Sequence, residues 1–307
     1  MRLVKYKSIA NSNAASSRIR CFRFFKFMAG DYNFCDINDT NYINAEVDLL
    51  FIQKIATKDY INVAKVYASK NIPIIYDIDD DFGVWENMFE KDMLNIVSAI
   101  TTDTIERKQY LEKYTKTPIY VIPDAIDYVN DKSRAIIIKD KISNIYTFGS
   151  GGNIEYSVPY LLQIPNNYNT YYITGADNTK LRSIKKILWM ETTFISYMYN
   201  ADICILIHPD DARGNMKSNN RLLVSMSLGI PCIVSNTSAY KETMKSIGCD
   251  ILVAKSENDV KTILTQLESV ELRKEISAKF YEYAWNNFSP QISSDKLSEL
   301  FKTLFKK

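Results

Sequence analysis

The chain has 307 residues, of which 46% are hydrophobic, so it can bury a large core and is more consistent with two domains than with one. Its 38 Lys and Arg against 36 Asp and Glu give a net charge of +2, which provides no general reason to expect a nucleic acid partner. Five scattered cysteines without CxxC spacing indicate neither a disulfide framework nor a zinc site.

Strand and helix patterns alternate through the first part of the chain. The predicted strands cover residues 3–6, 47–52, 73–78, 96–101 and 119–122, and the predicted helices cover residues 17–29, 58–69 and 103–114. Such alternation is typical of a parallel sheet that is covered by helices on both faces. The segment 123–128 is predicted to be the turn out of this half, and the isoleucine-rich segment 129–144 fits no predicted element.

The alternation restarts after this segment. Strands are predicted at residues 145–148, 171–174, 187–189, 203–207, 232–234 and 251–253, followed by amphipathic helices over residues 260–287 and 293–305. The fold class is therefore α/β, with two doubly wound, Rossmann-like domains facing across a cleft and a C-terminal helix that packs back across both. The expected boundaries are 1–127, 128–287 and, for the crossover helix, 288–307.

Residues 1–30 contain seven basic residues and no acidic one. In the predicted helix, apolar residues repeat every three positions, and the basic residues repeat beside them. This segment could attract phosphates, an anionic membrane surface or an acidic acceptor, or it could be an ordinary solvated helix face. Ser17, Arg18 and Arg20 are the candidate acceptor-binding residues here.

A cluster of carboxylates ends the strand at residues 73–78. It comprises Asp77, Asp79, Asp80 and Asp81. Adjacent carboxylates repel each other, which raises the pKa of one of them and prepares it to take a proton from a hydroxyl. Alternatively, the cluster holds a hard divalent cation, or Asp79 caps the next helix. Asp79, Asp80 and Asp81 are the candidate catalytic residues.

Two segments of the second half favour an anionic ligand. The turn GSGGN (Gly149, Ser150, Gly151, Gly152, Asn153) follows a strand and would let backbone amides approach a phosphate or a sugar, although it matches neither the dinucleotide fingerprint nor a P-loop. The second segment, KSNNR at residues 217–221, predicts a helix N-terminus, because Ser218 and Asn219 are N-cap types and Lys217 and Arg221 add two cations. A plain turn and an ordinary capped helix are the structural alternatives.

His208 is the single histidine of the chain. This excludes mechanisms that need a histidine pair and argues against a His-ligated metal. The residue follows the predicted strand 203–207, so it is expected at the carboxyl end of the sheet, where it either contacts the ligand or is structural.

The order ADICILIHP (201–209), KSNNR (217–221), SMSLGIPCIVS (225–235), Tyr240 and Glu242 resembles the donor half of the family-4-like glycosyltransferases, which have the two-domain GT-B fold. IIYDIDDDFG (74–83), VIPDAIDY (121–128) and YTFGSGGN (146–153) resemble the acceptor-half strand end, the domain crossover and the first donor-half loop of that group. The resemblance implies transfer of a sugar from a nucleotide donor to a hydroxyl, with no cofactor and no obligatory metal.

The resemblance also implies residue roles. Lys217 and Arg221 would hold the donor diphosphate as it leaves, with Ser218 and Asn219 adding hydrogen bonds. Gly149, Ser150, Gly151, Asn153, His208 and Tyr240 complete the implied donor-binding set. An aspartate of the acidic cluster would orient or deprotonate the acceptor hydroxyl.

This sequence departs from the family at a pair of glutamates that lie eight positions apart. Met216 and Val224 occupy the matching positions. The second glutamate of the family binds ribose hydroxyls, so Val224 suggests a donor with fewer of them, such as dTDP-rhamnose or another dTDP-sugar.

The sequence therefore predicts a cytoplasmic, rhamnosyl- or polysaccharide-type glycosyltransferase that uses a nucleotide-sugar and a glycan or lipid-linked glycan acceptor. It predicts no nucleic acid partner. Because no apolar run is long enough for a membrane span, the membrane contact that it allows is a peripheral one with the inner membrane surface. The alternatives are a GT-B nucleotide-sugar epimerase and a catalytically silent subunit that binds a partner enzyme or a glycan.

Overall fold

The computed structural model of the chain describes residues 5–10, 14–28, 30–36, 46–80, 88–129, 132, 135–175 and 184–305. The chain divides into two compact units. Unit 1 comprises Met1–Ala125 and Pro290–Lys307, and unit 2 comprises Ile126–Ser289. Each unit contains one six-stranded sheet in which all paired strands are parallel. This confirms the predicted α/β class with two Rossmann-like units.

The sheet of unit 1 has the strand order β2-β1-β3-β4-β5-β6. Its strands are β1 (Lys5–Ala10), β2 (Asp31–Asp36), β3 (Leu49–Gln53), β4 (Ile74–Ile78), β5 (Ala99–Thr102) and β6 (Ile119–Val121). Its helical segments are α1 (Ala15–Ser17), a π-helical stretch (Arg18–Arg23), α2 (Phe24–Lys26), α3 (Lys58–Ser69), α4 (Met88–Ile96), α5 (Ile105–Leu111) and α13 (Pro290–Phe305). The strand order reverses between β1 and β3, and ligands in open α/β sheets bind outside the carboxyl ends of the strands at such a point.

The sheet of unit 2 has the strand order β12-β11-β10-β7-β8-β9. Its strands are β7 (Asn144–Phe148), β8 (Asn169–Thr174), β9 (Lys185–Leu188), β10 (Ile203–Leu206), β11 (Cys232–Ser235) and β12 (Val253–Ala254). Its helices are α6 (Gly151–Leu161), α7 (Phe194–Met198), α8 (Ala212–Met216), α9 (Asn220–Ser227), α10 (Ser238–Ser246), a 3₁₀ turn (Asp250–Leu252), α11 (Asp259–Leu267) and α12 (Val270–Phe288). Here the strand order reverses between β7 and β10.

Apolar residues of the central strands form the cores. Every residue of β3, β4, β10 and β11 is buried, as expected for strands that helices cover on both faces. In unit 1, Leu297 and Phe301 of α13 pack with Phe25 and Phe51 in one cluster. The last helix therefore completes the core of the first unit.

Several details differ from the sequence-based expectations: β2 and α4 were not predicted, and the helix predicted over residues 17–29 is divided into α1, the π-helical stretch and α2. The helix predicted over residues 260–287 is two helices, α11 and α12, because the hydroxyl of Ser269 accepts a hydrogen bond from the amide of Leu272 and caps a new helix. The segment 129–144, which fits no predicted element, is irregular in its described residues until β7 begins at Asn144. Arg273 of α12 holds it by donating to the carbonyls of Lys139 and Asp140.

The described residues contain no helix with the length and apolar character needed to cross a bilayer.

Candidate functional site

The carboxyl ends of β7 and β10 define the candidate site of unit 2. They flank the point at which the strand order reverses. Gly149 follows β7, and His208 follows β10 by two residues. The sequence-based interpretation placed these two residues at strand ends, and the fold brings those ends side by side through the direct pairing of the two strands.

Arg221 of α9 links the two strand ends. Its Nη1 donates to the carbonyl of Phe148 at 3.1 Å, and its Nη2 donates to the carbonyl of Ile207 at 2.7 Å. The side chain is buried. A Cβ added to Gly149 would lie 3.4 Å from Nη1 of Arg221, and the φ of Gly149 is +149°. A glycine is therefore favoured at this turn, both by its backbone conformation and by the close approach of Arg221.

His208 lies next to Arg221 and Tyr240. Its Nδ1 is 3.0 Å from Nη2 of Arg221, and its ring stacks on Tyr240 with 4.6 Å between centroids. Its backbone amide donates to the hydroxyl of Ser235 at the end of β11. Burial, with the charges of Arg221 and Lys217, lowers the pKa of His208 well below its usual value. Burial raises the pKa of Tyr240 to about 12. Both rings are thus neutral at physiological pH.

The N-terminus of α9 differs from the predicted cap in its details. Asn219 is the N-cap, but its side-chain amide donates to the hydroxyl of Thr243 in α10, while the hydroxyl of Ser218 accepts from the amide of Asn220. The amide of Leu223 makes the hydrogen bond to the carbonyl of Asn219 that closes the first turn. Amides at this end of a helix attract anions.

Lys217 lies between two helices, at the C-cap of α8 and directly before the N-terminus of α9. The backbone of α8 packs tightly against the preceding loop, because a Cβ on Gly214 would lie 1.7 Å from the carbonyl oxygen of Pro209. Asp211 caps this helix by accepting from the amide of Gly214. A short, tightly packed helix therefore sets the position of Lys217.

Met216 and Val224 are both buried, and Val224 belongs to the hydrophobic core of unit 2. The two positions at which the resembled family has glutamates are thus apolar core positions in this chain. No carboxylate stands at either position.

The GSGGN turn opens α6. Ser150 is the N-cap of this helix and makes no side-chain capping hydrogen bond, and Gly151 is its first residue. The Cβ of Asn153 would be 3.1 Å from a Cβ on Gly149. A Cβ added to Gly152 would meet no atom within 4 Å among the described residues, so the space beside this helix start is open. A second helix N-terminus therefore follows directly on the turn that Arg221 contacts.

Several buried polar atoms at this end of unit 2 make no hydrogen bond of normal geometry among the described residues, although the side chains of Tyr240 and Arg221 interact. These atoms are His208 Nε2, Asn220 Nδ2, Arg221 Nε, Thr237 Oγ1 and Tyr240 OH. Buried polar groups in folded proteins are usually paired, so such a concentration calls for an explanation. A ligand rich in oxygen acceptors would provide partners for the nitrogen donors.

In unit 1, Arg20 is the centre of a buried ionic network. Its Nε and Nη2 donate to the two carboxylate oxygens of Asp77, and its Nη1 donates to Asp124 and to the carbonyl of Ile122. Thr101 also donates to Asp77. All three guanidinium nitrogens of Arg20 are thus bonded within the protein, and the side chain is 1% exposed. This does not fit the expectation that Arg20 contacts the acceptor on a basic surface. Arg20 instead holds β4 and the segment after β6 against the π-helical stretch.

Asp79 ends a hydrogen-bond chain that starts at Ser17. The hydroxyl of Ser17 donates to Gln53 Oε1, and Gln53 Nε2 donates to Asp79 Oδ1 at 3.1 Å. Burial raises the pKa of Asp79 to about 6, against the opposing effect of Lys54. These hydrogen bonds lie near the reversal of strand order, because Ser17 ends α1, the first described helix after β1, and Gln53 ends β3. Ser17 therefore supports Asp79 through Gln53.

The remaining candidate residues of unit 1 are Asp80, Arg18 and Asp81. Asp80 forms an ion pair with Lys54, and both side chains are 34% exposed. Arg18 is partly buried in the π-helical stretch, and Asp81 lies outside the described residues. Sequence reasoning missed Gln53 and Asp124. Gln53 ends an apolar strand, and a polar residue at that point is the one signal that could have indicated it.

No protein-family model matches this sequence, and no curated protein is significantly similar to it. Solved structures, in contrast, are similar to it in fold. HepE of Anabaena, solved with UDP, has a TM-score of 0.70 at 11% identity, over 99% of this chain and 100% of that chain. WaaG, a glycosyltransferase involved in lipopolysaccharide biosynthesis, has a TM-score of 0.63 at 11% identity, over 95% and 99% of the two chains.

A third match is an alpha-glucosyltransferase solved with UDP and a 13-mer DNA containing a HMU base, with a TM-score of 0.63 at 11% identity, over 99% and 100% of the two chains. These similarities show that the chain has the GT-B fold of glycosyltransferases. At such identities they establish the fold, and the activity has to be argued from the site.

Proposed function

We propose that this protein is a glycosyltransferase that moves a sugar from a nucleotide-sugar donor to a hydroxyl of a glycan or lipid-linked glycan. Unit 2 binds the donor, and unit 1 binds and activates the acceptor. Polysaccharide or surface-glycan synthesis is the setting that a fold similar to that of WaaG favours.

One observation carries the proposal. The chain has the GT-B fold, and the strand order of unit 2 reverses beside Lys217 and the N-terminus of α9. Several buried nitrogen donors lie at this point and have no partner of normal geometry among the described residues. Nitrogen donors, a lysine and helix amides together suit an anion, and a diphosphate is the anionic part of a nucleotide-sugar.

The reaction that we propose forms one bond and breaks one. The acceptor oxygen bonds to the anomeric carbon of the sugar, the bond between that carbon and the donor phosphate oxygen breaks, and the nucleoside diphosphate leaves. The acceptor proton passes to the carboxylate of Asp79. Lys217 and the amides of α9 stabilise the negative charge that develops on the departing diphosphate, which is where such groups accelerate transfer.

For the donor, we propose a dTDP-sugar. The apolar core position of Val224 supports this, since no carboxylate is available there to bind two ribose hydroxyls. UDP is the competing nucleotide, because HepE and the alpha-glucosyltransferase were solved with it. A thermal-shift panel separates the two: a clearly larger shift with UDP or GDP than with dTDP would contradict this assignment.

The test of the proposed function is a mass-spectrometric screen of a nucleotide-sugar panel for hydrolysis and transfer. We expect release of nucleoside diphosphate from one donor by the wild type and a strong reduction in Lys217→Ala. Release of sugar from no donor, with nucleotide binding intact, would contradict catalysis.

That second result would favour a silent, glycosyltransferase-like subunit. The observation that supports this alternative is the presence of Met216 and Val224 where the resembled family has two glutamates. Co-purification with an active transferase would then be expected.

A further inference from the structure

The hydrogen bond at Nδ1 determines which nitrogen of the His208 imidazole carries the proton. Its Nδ1 lies 3.0 Å from Nη2 of Arg221. A guanidinium group carries only donors and stays protonated in proteins, so Nδ1 must accept this hydrogen bond. The imidazole proton is therefore on Nε2.

Its surroundings also keep this imidazole uncharged. Burial opposes a positive charge on the ring, and the cationic groups of Arg221 and Lys217 oppose it further, so the pKa of His208 is far below its usual value despite a weaker, opposite effect of the Ser218 backbone. The ring of Tyr240, which stacks on it, is itself neutral at physiological pH. His208 is consequently a neutral N–H donor rather than a titrating acid or base.

The Nε2 atom is buried and makes no hydrogen bond of normal geometry within the described part of the chain, although the Ser218 backbone interacts with the ring. Leaving a buried donor unpaired costs roughly 1–3 kcal/mol, so an acceptor from a ligand would bring a gain. The residue is 5% exposed and lies at the carboxyl end of β10, beside the point of strand reversal. Lys217 acts on it electrostatically, which makes a negatively charged oxygen the favoured acceptor.

We propose that His208 donates a hydrogen bond from Nε2 to a phosphate oxygen of a bound nucleoside diphosphate, and that Arg221 is a positioning residue that sets this tautomer. Arg221 thereby acts through His208 and through the carbonyls of Phe148 and Ile207. This differs from the role implied by family resemblance, in which Arg221 itself holds the diphosphate. The inference rests on the proposed function for the identity of the ligand, but the tautomer does not depend on it.

The single histidine makes the proposal directly measurable. In protein labelled with ¹⁵N-histidine, we expect one pyridine-type nitrogen at Nδ1 and one pyrrole-type N–H at Nε2, unchanged between pH 8 and pH 6. Saturating UDP or dTDP should shift the Nε2–H resonance, while uridine and thymidine should leave it nearly unchanged. A proton on Nδ1, or titration of the ring within this range, would overturn the tautomer assignment.

Three variants test the two roles. His208→Phe keeps an aromatic ring to stack on Tyr240 and should weaken binding of the diphosphate by about 10- to 100-fold, the loss expected for a hydrogen bond to a charged group. His208→Gln, which retains an amide donor, should recover part of that loss. Arg221→Lys should produce a mixture of histidine tautomers, a spectroscopic change that a purely structural role would not cause.

The outcomes separate this inference from the proposed function. Equal losses for UDP and uridine in His208→Phe would overturn the phosphate contact while leaving nucleotide binding established. If the wild type bound none of UDP, GDP and dTDP, the phosphate contact and the proposed function would both fail, and the tautomer would still be decided by the spectrum. If Arg221→Lys does not fold, the wild-type spectrum alone decides the tautomer.

Discussion

Arg20 and Asp77 form a two-point ion pair in which Nε and Nη2 each lie 2.7 Å from a different carboxylate oxygen, although the two residues are 57 positions apart in sequence. Both side chains are 1% exposed. The pair joins the π-helical stretch (Arg18–Arg23) to β4. Removing one partner of such a pair leaves a buried charge without its partner.

We therefore expect Asp77→Asn to lower the free energy of unfolding by about 3 kcal/mol, the lower end of the range for a broken buried pair, because Asp124 still bonds to Arg20. Urea unfolding measures this. Lys108→Ala is the control: its pair with Glu112 is exposed and 3.8 Å long, and its loss should change stability by less than about 0.5 kcal/mol. Similar values for the two variants would show that the buried pair does not stabilise unit 1.

Asp79 should determine the acid limb of the activity profile. A base must be deprotonated to accept the acceptor proton, so kcat/KM of the wild type should fall as the pH is lowered through about 6, the value to which burial raises the pKa of Asp79. Asp79→Asn should reduce kcat by about 10²- to 10⁴-fold with the fold retained. Asp80→Asn is the matched variant, and a loss equal to or larger than that of Asp79→Asn would transfer the role to Asp80.

The same carboxylate should destabilise the protein at neutral pH. Its pKa is higher in the folded than in the unfolded state, so its stabilising contribution is fully present below the unfolded value and is lost as the pH rises through about 6. The asparagine of Asp79→Asn cannot ionise and can still accept a hydrogen bond from Gln53. At pH 8 this variant should therefore be more stable than the wild type by about 1–2 kcal/mol, a value that allows for the partial burial of Asp79. At pH 4 the two proteins should be equally stable. Thermal unfolding at the two pH values measures the difference, and a pH-independent difference would contradict it.

Lys217 should act on the departing diphosphate. We expect Lys217→Ala to lose about 2–4 kcal/mol of transition-state stabilisation, seen as a roughly 30- to 10³-fold lower kcat. Lys245→Ala removes an exposed lysine of α10 in the same unit and serves as the control for net charge. Equal turnover in the two variants would remove Lys217 from the mechanism.

Two glycines of unit 2 should respond in opposite ways to alanine. A Cβ on Gly214 would lie 1.7 Å from the carbonyl oxygen of Pro209, so Gly214→Ala must displace backbone and should destabilise the protein by about 3 kcal/mol. Gly152 lies in α6 with no described atom within 4 Å of the added Cβ, so Gly152→Ala should leave stability unchanged or raise it by up to about 1 kcal/mol. Chemical denaturation compares the two, and equal stabilities would contradict the tight packing at α8.

Local sequence patterns were enough to predict the architecture. The helix predicted over residues 58–69 is α3 in full, and most of the parallel strands were predicted to within a few residues, because apolar runs bounded by polar turns leave few alternatives. The end of the sheet at which Gly149 and His208 lie follows from strand direction alone.

Side-chain partners could not be predicted in this way. The partners of Arg20 lie 57 and 104 positions away, and which carboxylates reach it depends on the pairing of β4 with its neighbours. Its spacing beside apolar residues suggested a basic surface, whereas burial and two carboxylates made it internal. Likewise, the bonds of Arg221 to Phe148 and Ile207 depend on two strands that become adjacent only in the folded sheet.

Unit 1 is made from two stretches of chain that are separated by the whole of unit 2. During synthesis, Ile126–Ser289 can fold as one continuous segment, while Phe25 and Phe51 must wait for Leu297 and Phe301 before their cluster is complete. We expect the ribosome-bound first unit to need protection from aggregation until the last helix has emerged, and a chain cut after Ser289 to leave that apolar surface uncovered.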